Sequence, residues 1–155
     1  MDIYGNIIML LMLAICAVVD IVKRQLHILL LIAFGILGMI YQILNVHQMM
    51  SAGVNPDFKN LIYGICLSLV VIIASIVSRE RLGMGDALLI FDCAIFMGFW
   101  GVLSLLWISC LFAGLTGFVL IFICRKSKNY RIPFVPFVFF SYVLLLVLDN
   151  FGGFV

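Results

Sequence analysis

Six apolar runs, at roughly 3–19, 28–46, 60–77, 86–101, 103–124 and 133–149, leave little of the chain for anything but helices that cross a bilayer. A crossing helix needs about 20 mostly apolar residues, within a range of about 17 to 25. The runs predict an all-α fold: a polytopic membrane helix bundle with about six transmembrane helices, in which residues 1–155 form one domain. Composition agrees, since 66% of the residues are hydrophobic and 10% charged, against about 45–50% and 25% in a soluble domain. The fourth run is short and ends at Phe99-Trp100-Gly101, which predicts a tight link to the fifth and places Trp100 at the membrane interface.

Charge orients the bundle, because Lys and Arg collect in loops that stay in the cytoplasm. Lys23 and Arg24 follow the first run, Arg79 and Arg81 the third, and Arg125, Lys126, Lys128 and Arg131 the fifth, which puts eight of nine basic residues on one side. Lys59 lies in the opposite loop. Both termini are therefore expected outside the cytoplasm. A net charge of +2 carried in short clusters at segment ends does not describe a nucleic-acid surface. The N-terminus carries Asp2 instead of a basic stretch and its apolar run ends at Asp20, so the first segment is expected to remain in the mature protein. The five cysteines fall inside apolar runs without Cys-x-x-Cys spacing, which predicts buried small side chains and no metal site.

Against this apolar background two carboxylates stand at matching depth. The first run goes inward and ends at Asp20, and the fourth starts inside at Asp86, directly after Gly83-Met84-Gly85. An ionisable group at membrane depth is costly and marks function by default. Two carboxylates held a few ångströms apart share a proton, so that one serves as base and the other as acid. Such a pair activates water against an amide carbonyl. Gly83 and Gly85 are expected to supply unusual backbone angles and room for an extended peptide. The plainer reading makes Gly83-Met84-Gly85 a turn with Asp86 as helix N-cap.

Taken together, these residues resemble the type IV prepilin peptidases, membrane aspartic endopeptidases named for a Gly-x-Gly-Asp signature. Gly83-Met84-Gly85-Asp86 matches that signature. Asp20 followed by Lys23-Arg24 and the apolar Leu26 resembles the first catalytic aspartate with its basic run, and Ile132-Pro133-Phe134-Val135-Pro136-Phe137 resembles the Pro-Phe-x-Pro motif that opens the last helix. The resemblance covers most of the chain. It implies catalytic roles for Asp20 and Asp86, no cofactor, a prepilin or pseudopilin helix as substrate partner within the lipid bilayer, and a prokaryotic plasma (inner) membrane with the site facing the cytoplasm. The chain departs from the pattern at His27-Ile28, where many members have Pro-Asn, at Leu88, where many have Lys, and at Val135, where glycine is frequent. The short stretch from Lys23 to His27 leaves no room for the zinc-binding insertion of larger relatives, so the resemblance implies peptidase without methyltransferase.

Other residues receive structural readings. Asp92, six positions beyond Asp86, falls about 9 Å deeper and about 240° around the helix, and is expected to hydrogen-bond a neighbouring helix. Lys23, Arg24, Arg79 and Arg81 read as topology anchors, with a possible part in steering acidic groups of a substrate. Gly35-x-x-Gly38 and Gly114-x-x-Gly117 read as close-packing positions. An alternative function is a small proton-coupled transporter using Asp86 and Asp92 as a relay, although no internal repeat accompanies them.

Overall fold

A computed structural model of the chain describes residues 3–23, 26–78, 83–122 and 133–152, and every regular element in it is a helix. The order is α1 (Ile3–Lys23), α2 (Ile28–Ser51), α3 (Phe58–Val77), α4 (Met84–Phe122) and α5 (Val135–Gly152). Helices are the expected solution for such a sequence, since hydrocarbon offers no partners to backbone N–H and C=O groups. Several helix hydroxyls are satisfied in the same local way, Ser68 donating to the Ile65 carbonyl, Ser109 to Leu105 and Thr116 to Phe112, whereas the buried Ser141 hydroxyl has no partner among the described residues. Four of the five helices are long and apolar enough to span a membrane, and α5 is shorter but apolar.

The core is built by α1, α4 and α5. Met9, Met12, Leu13 and Cys16 of α1 meet Leu89, Ile90, Cys93 and Phe96 of α4 and Val135, Val138, Tyr142 and Leu145 of α5. α4 touches every other helix and α1 packs mainly on α5, whereas α1, α2 and α3 scarcely touch one another. The opposite helix faces are apolar and uncovered: Ile7, Leu11, Ile15 and Val18 follow one another at helical spacing along the outside of α1. An apolar surface of this extent suits lipid and would drive association in water.

The link expected after Gly101 is a break at one residue. α4 runs from Met84 to Phe122, but Gly98 has φ 67° and ψ −163°, a conformation open essentially to glycine alone. The break divides 37 apolar residues, about 55 Å as a straight helix and far longer than a bilayer core, into two shorter stretches. Asn60 of α3 closes the break. Its Oδ1 accepts from the backbone N–H of Phe99 at 3.0 Å and of Trp100 at 3.4 Å, satisfying donors that the interruption exposes. Gly64, one turn further along α3, lets the two backbones meet, because a Cβ there would lie 2.7 Å from the Gly98 carbonyl carbon. Trp100 is exposed, as expected of an interfacial residue.

Two packing expectations divide. Gly35 and Gly38 do admit α4 against α2, facing Asp92 and Phe96 respectively, whereas Gly114 has nothing within 4 Å. The cysteines also split, Cys16 and Cys93 being buried but Cys66 and Cys110 exposed. Cys124 lies outside the described residues. No group of His, Cys, Asp or Glu suited to a metal ion occurs among the described residues.

Candidate active site

Asp20 sits one turn before the end of α1, inside the helix and not at its close, and is 7% exposed. Its partner comes from the far end of the chain. The N–H of Val135, the first residue of α5, donates to Asp20 Oδ2 at 3.2 Å. The local sequence explains why α5 needs help from α1. Phe134 occupies the N-cap position and its carbonyl accepts from Phe137 and Val138, but a phenylalanine side chain cannot accept a hydrogen bond. Pro136 has no N–H to satisfy. The first-turn donor left over is Val135, and Asp20 supplies the oxygen that a Ser, Thr or Asp at the N-cap would ordinarily provide. A carboxylate in this position also faces the positive end of the helix dipole, which favours its charge. Asp20 Oδ1 accepts no hydrogen bond among the described residues.

Asp86 enters from α4. Gly83 is the N-cap, its carbonyl accepting from Ala87 N–H at 3.2 Å, and Asp86 is the third helical residue, so the cap lies three residues before the expected Asp86. The carboxylate folds back over the cap: a Cβ on Gly83 would stand 3.0 Å from Asp86 Oδ2. Gly85 serves a different neighbour, since its Cβ would lie 2.9 Å from Leu26 Cβ. Neither glycine has positive φ. Their contribution is therefore space for a carboxylate and for Leu26, not the unusual backbone angle that the sequence suggested. Met84 between them is exposed.

The structure brings Asp20 and Asp86 to one end of the bundle, near enough for the charge on one to act on the other. Asp86 is half-buried, so the pair spans the step from the packed core to the helix ends. An anchored carboxylate with one uncommitted oxygen, beside a second carboxylate on a glycine-lined turn, is an arrangement able to hold and polarise a water molecule. Lys23 is exposed and its Nζ lies 3.2 Å from His27 Nε2, away from either carboxylate. Arg24, Arg79 and Arg81 lie outside the described residues.

Asp92 differs from expectation. It is 4% exposed, and its Oδ2 is buried with no hydrogen-bond partner. No donor to this oxygen occurs among the described residues; α2 instead presents Gly35, where a Cβ would come within 2.9 Å of Asp92 Oδ1. The absence of a side chain at position 35 creates the space that the carboxylate fills. The sequence also gave no hint of Asn60 as a helix cap in trans, because its partners lie 39 and 40 residues away. Comparison of the chain with protein-family models, with curated proteins and with solved structures gave no match in any of the three.

Proposed function

We propose that this chain is an aspartic endopeptidase that removes the short basic leader of type IV prepilins or related pseudopilins, with Asp20 and Asp86 as the catalytic pair. In this reading the helices make six crossings, both termini face outward, and the pair opens to the cytoplasm from the plasma membrane. The ionised carboxylate takes a proton from water as the water oxygen attacks the scissile carbonyl carbon, and the protonated carboxyl donates to the oxyanion. In the collapse of the tetrahedral adduct the newly protonated carboxyl gives its proton to the leaving nitrogen and the other carboxylate takes back a hydroxyl proton, which releases the leader and the new N-terminus and restores the pair. Two carboxyl groups and a water suffice for these steps.

The observation that carries the reading is the approach of two carboxylates from α1 and α4 at one end of an apolar bundle, one of them tied to the first turn of α5. These are the same three segments that carry the family resemblance. Co-expression of a prepilin with Asp20→Asn and with Asp86→Asn tests it: each substitution is expected to abolish the mobility shift of processing, and persistent processing in both overturns it.

The unpartnered Oδ2 of Asp92 favours a second reading, a proton-coupled carrier. Asp92→Asn separates the two, leaving processing intact in a peptidase and abolishing proton-linked uptake in a carrier.

A further inference from the structure

A cavity lies far from the aspartate pair, at the other end of the bundle. It measures about 310 Å³, within the range of small-molecule sites. Asn6, at its wall, stands 14 residues before Asp20 on α1, about 21 Å along the helix, and Gly98 stands about 18 Å along α4 from Asp86. All five helices contribute residues to its wall, and it opens to the surface at this end of the bundle.

Its chemistry is unusual for so apolar a chain. Asn6, Gln42, Asn45, Asp57, Asn60 and Asp149 line it together with Phe96 and Tyr142. Part of this polarity is already used: Tyr142 donates to Asn6 Oδ1 at 3.2 Å, Asn60 Oδ1 holds the break at Gly98, and Asp57 Oδ1 accepts from Asn60 N–H as the N-cap of α3. The rest is not. Gln42 and Asn45 sit half-buried without a hydrogen bond to another described residue, and at the exposed rim Asp149 and the second oxygen of Asp57 are also uncommitted among the described residues. No Lys, Arg or His is among the lining residues, and Lys59 is excluded although it neighbours Asn60 in sequence.

Two carboxylates and two open amides select for positive charge with hydrogen to donate. Anions are repelled, and a bare metal ion would lack a group of three or more His, Cys, Asp or Glu ligands among the described residues. We propose that this cavity is a binding site for a small organic cation bearing a primary ammonium group, held by Asp57 and Asp149 and oriented by Gln42 and Asn45. The ammonium can come from a free amine or from an ethanolamine lipid headgroup. The site stands apart from the aspartate pair and does not depend on the reading given to it.

The test uses the full chain purified in detergent and titrated with 1,4-diaminobutane, with 1,4-butanediol and succinate as neutral and anionic controls of similar length. Saturable binding by calorimetry and a rise in melting temperature are expected for the diamine alone. The double variant Asp57→Asn, Asp149→Asn should weaken it at least about tenfold, since each loss removes a charge-assisted contact. Asn caps helices as well as Asp does, so α3 keeps its cap. Val46→Phe, which narrows the cavity without touching charge, should also abolish binding. Weaker diamine binding in nanodiscs of phosphatidylethanolamine than of phosphatidylcholine assigns the site to the headgroup, and equal binding assigns it to free amines. A diol that binds as well as the diamine, an absence of saturation, or full affinity in the folded double variant overturns the proposal.

Discussion

Two helix starts in this molecule are completed by a side chain from another helix, and they differ in what that side chain has left to give. At α5, Asp20 accepts a single N–H through Oδ2, while Oδ1 stays uncommitted and a second carboxylate lies within electrostatic reach. At the break in α4, Asn60 Oδ1 accepts from both Phe99 and Trp100 and its amide nitrogen lies against Gly98. One acceptor is neutral, doubly engaged and wedged against backbone. The other is an ionisable carboxyl, singly engaged and within electrostatic reach of a second one. Both solve the same problem of unpaired backbone donors, but only the second retains an oxygen for chemistry. Helix capping in trans thus serves architecture at one end of the bundle and can serve reactivity at the other.

The comparison is broken most severely by removing the ionisable member. Asp20→Asn keeps an acceptor for Val135 N–H, so the fold should survive while prepilin processing falls by about 10²-fold to 10⁴-fold, the scale of general acid–base assistance; loss of folded protein in place of lost turnover would make Asp20 architectural like Asn60. Next in size is Gly85→Ala, whose Cβ would press on Leu26 Cβ from 2.9 Å. Displacing the start of α4 moves Asp86, and processing should drop about tenfold to 10²-fold with little change in melting temperature. Gly98→Ala acts at the other end, where a side chain in a glycine-only conformation should cost about 1–3 kcal/mol, read as a lower melting temperature with unchanged turnover per folded molecule. Asn60→Ala should cost about 1 kcal/mol by the same measure, with Asn60→Asp restoring most of it because a carboxylate also suits a helix start. The smallest effect is expected for Asp92→Asn, which should leave processing within about twofold, since the residue packs against Gly35 and away from the pair.

The apolar runs made the helices legible, because lipid exposure and helix length write directly into composition. Ile3–Lys23 and Phe58–Val77 fall within a few residues of the expected segments. The break at Gly98 was placed three residues late, since Phe99-Trp100-Gly101 carries the interfacial signature while the unusual backbone belongs to the glycine before it. That Asp20 and Asp86 share one end of the bundle was readable from the topology, while their pairing came from the family resemblance. What joins Asp20 to Val135 was not, because that bond spans 115 residues and arises from a failure of Phe134 and Pro136 to complete their own turn. Asp92 misled for a related reason: a buried carboxylate implies a donor nearby, and the structure provides an empty glycine position in its place.

The scarcity of contacts among the first three helices has a consequence for how the protein is made. α1, α2 and α3 leave the ribosome first, yet scarcely contact one another. α2 and α3 must wait in the lipid as solitary spans until the stretch from Met84 onward is threaded into the membrane, and α1 waits longer, for α5, on which it mainly packs. A chain halted before residue 84 would therefore hold three independent spans with no lasting partner, exposed to membrane quality control throughout the second half of translation.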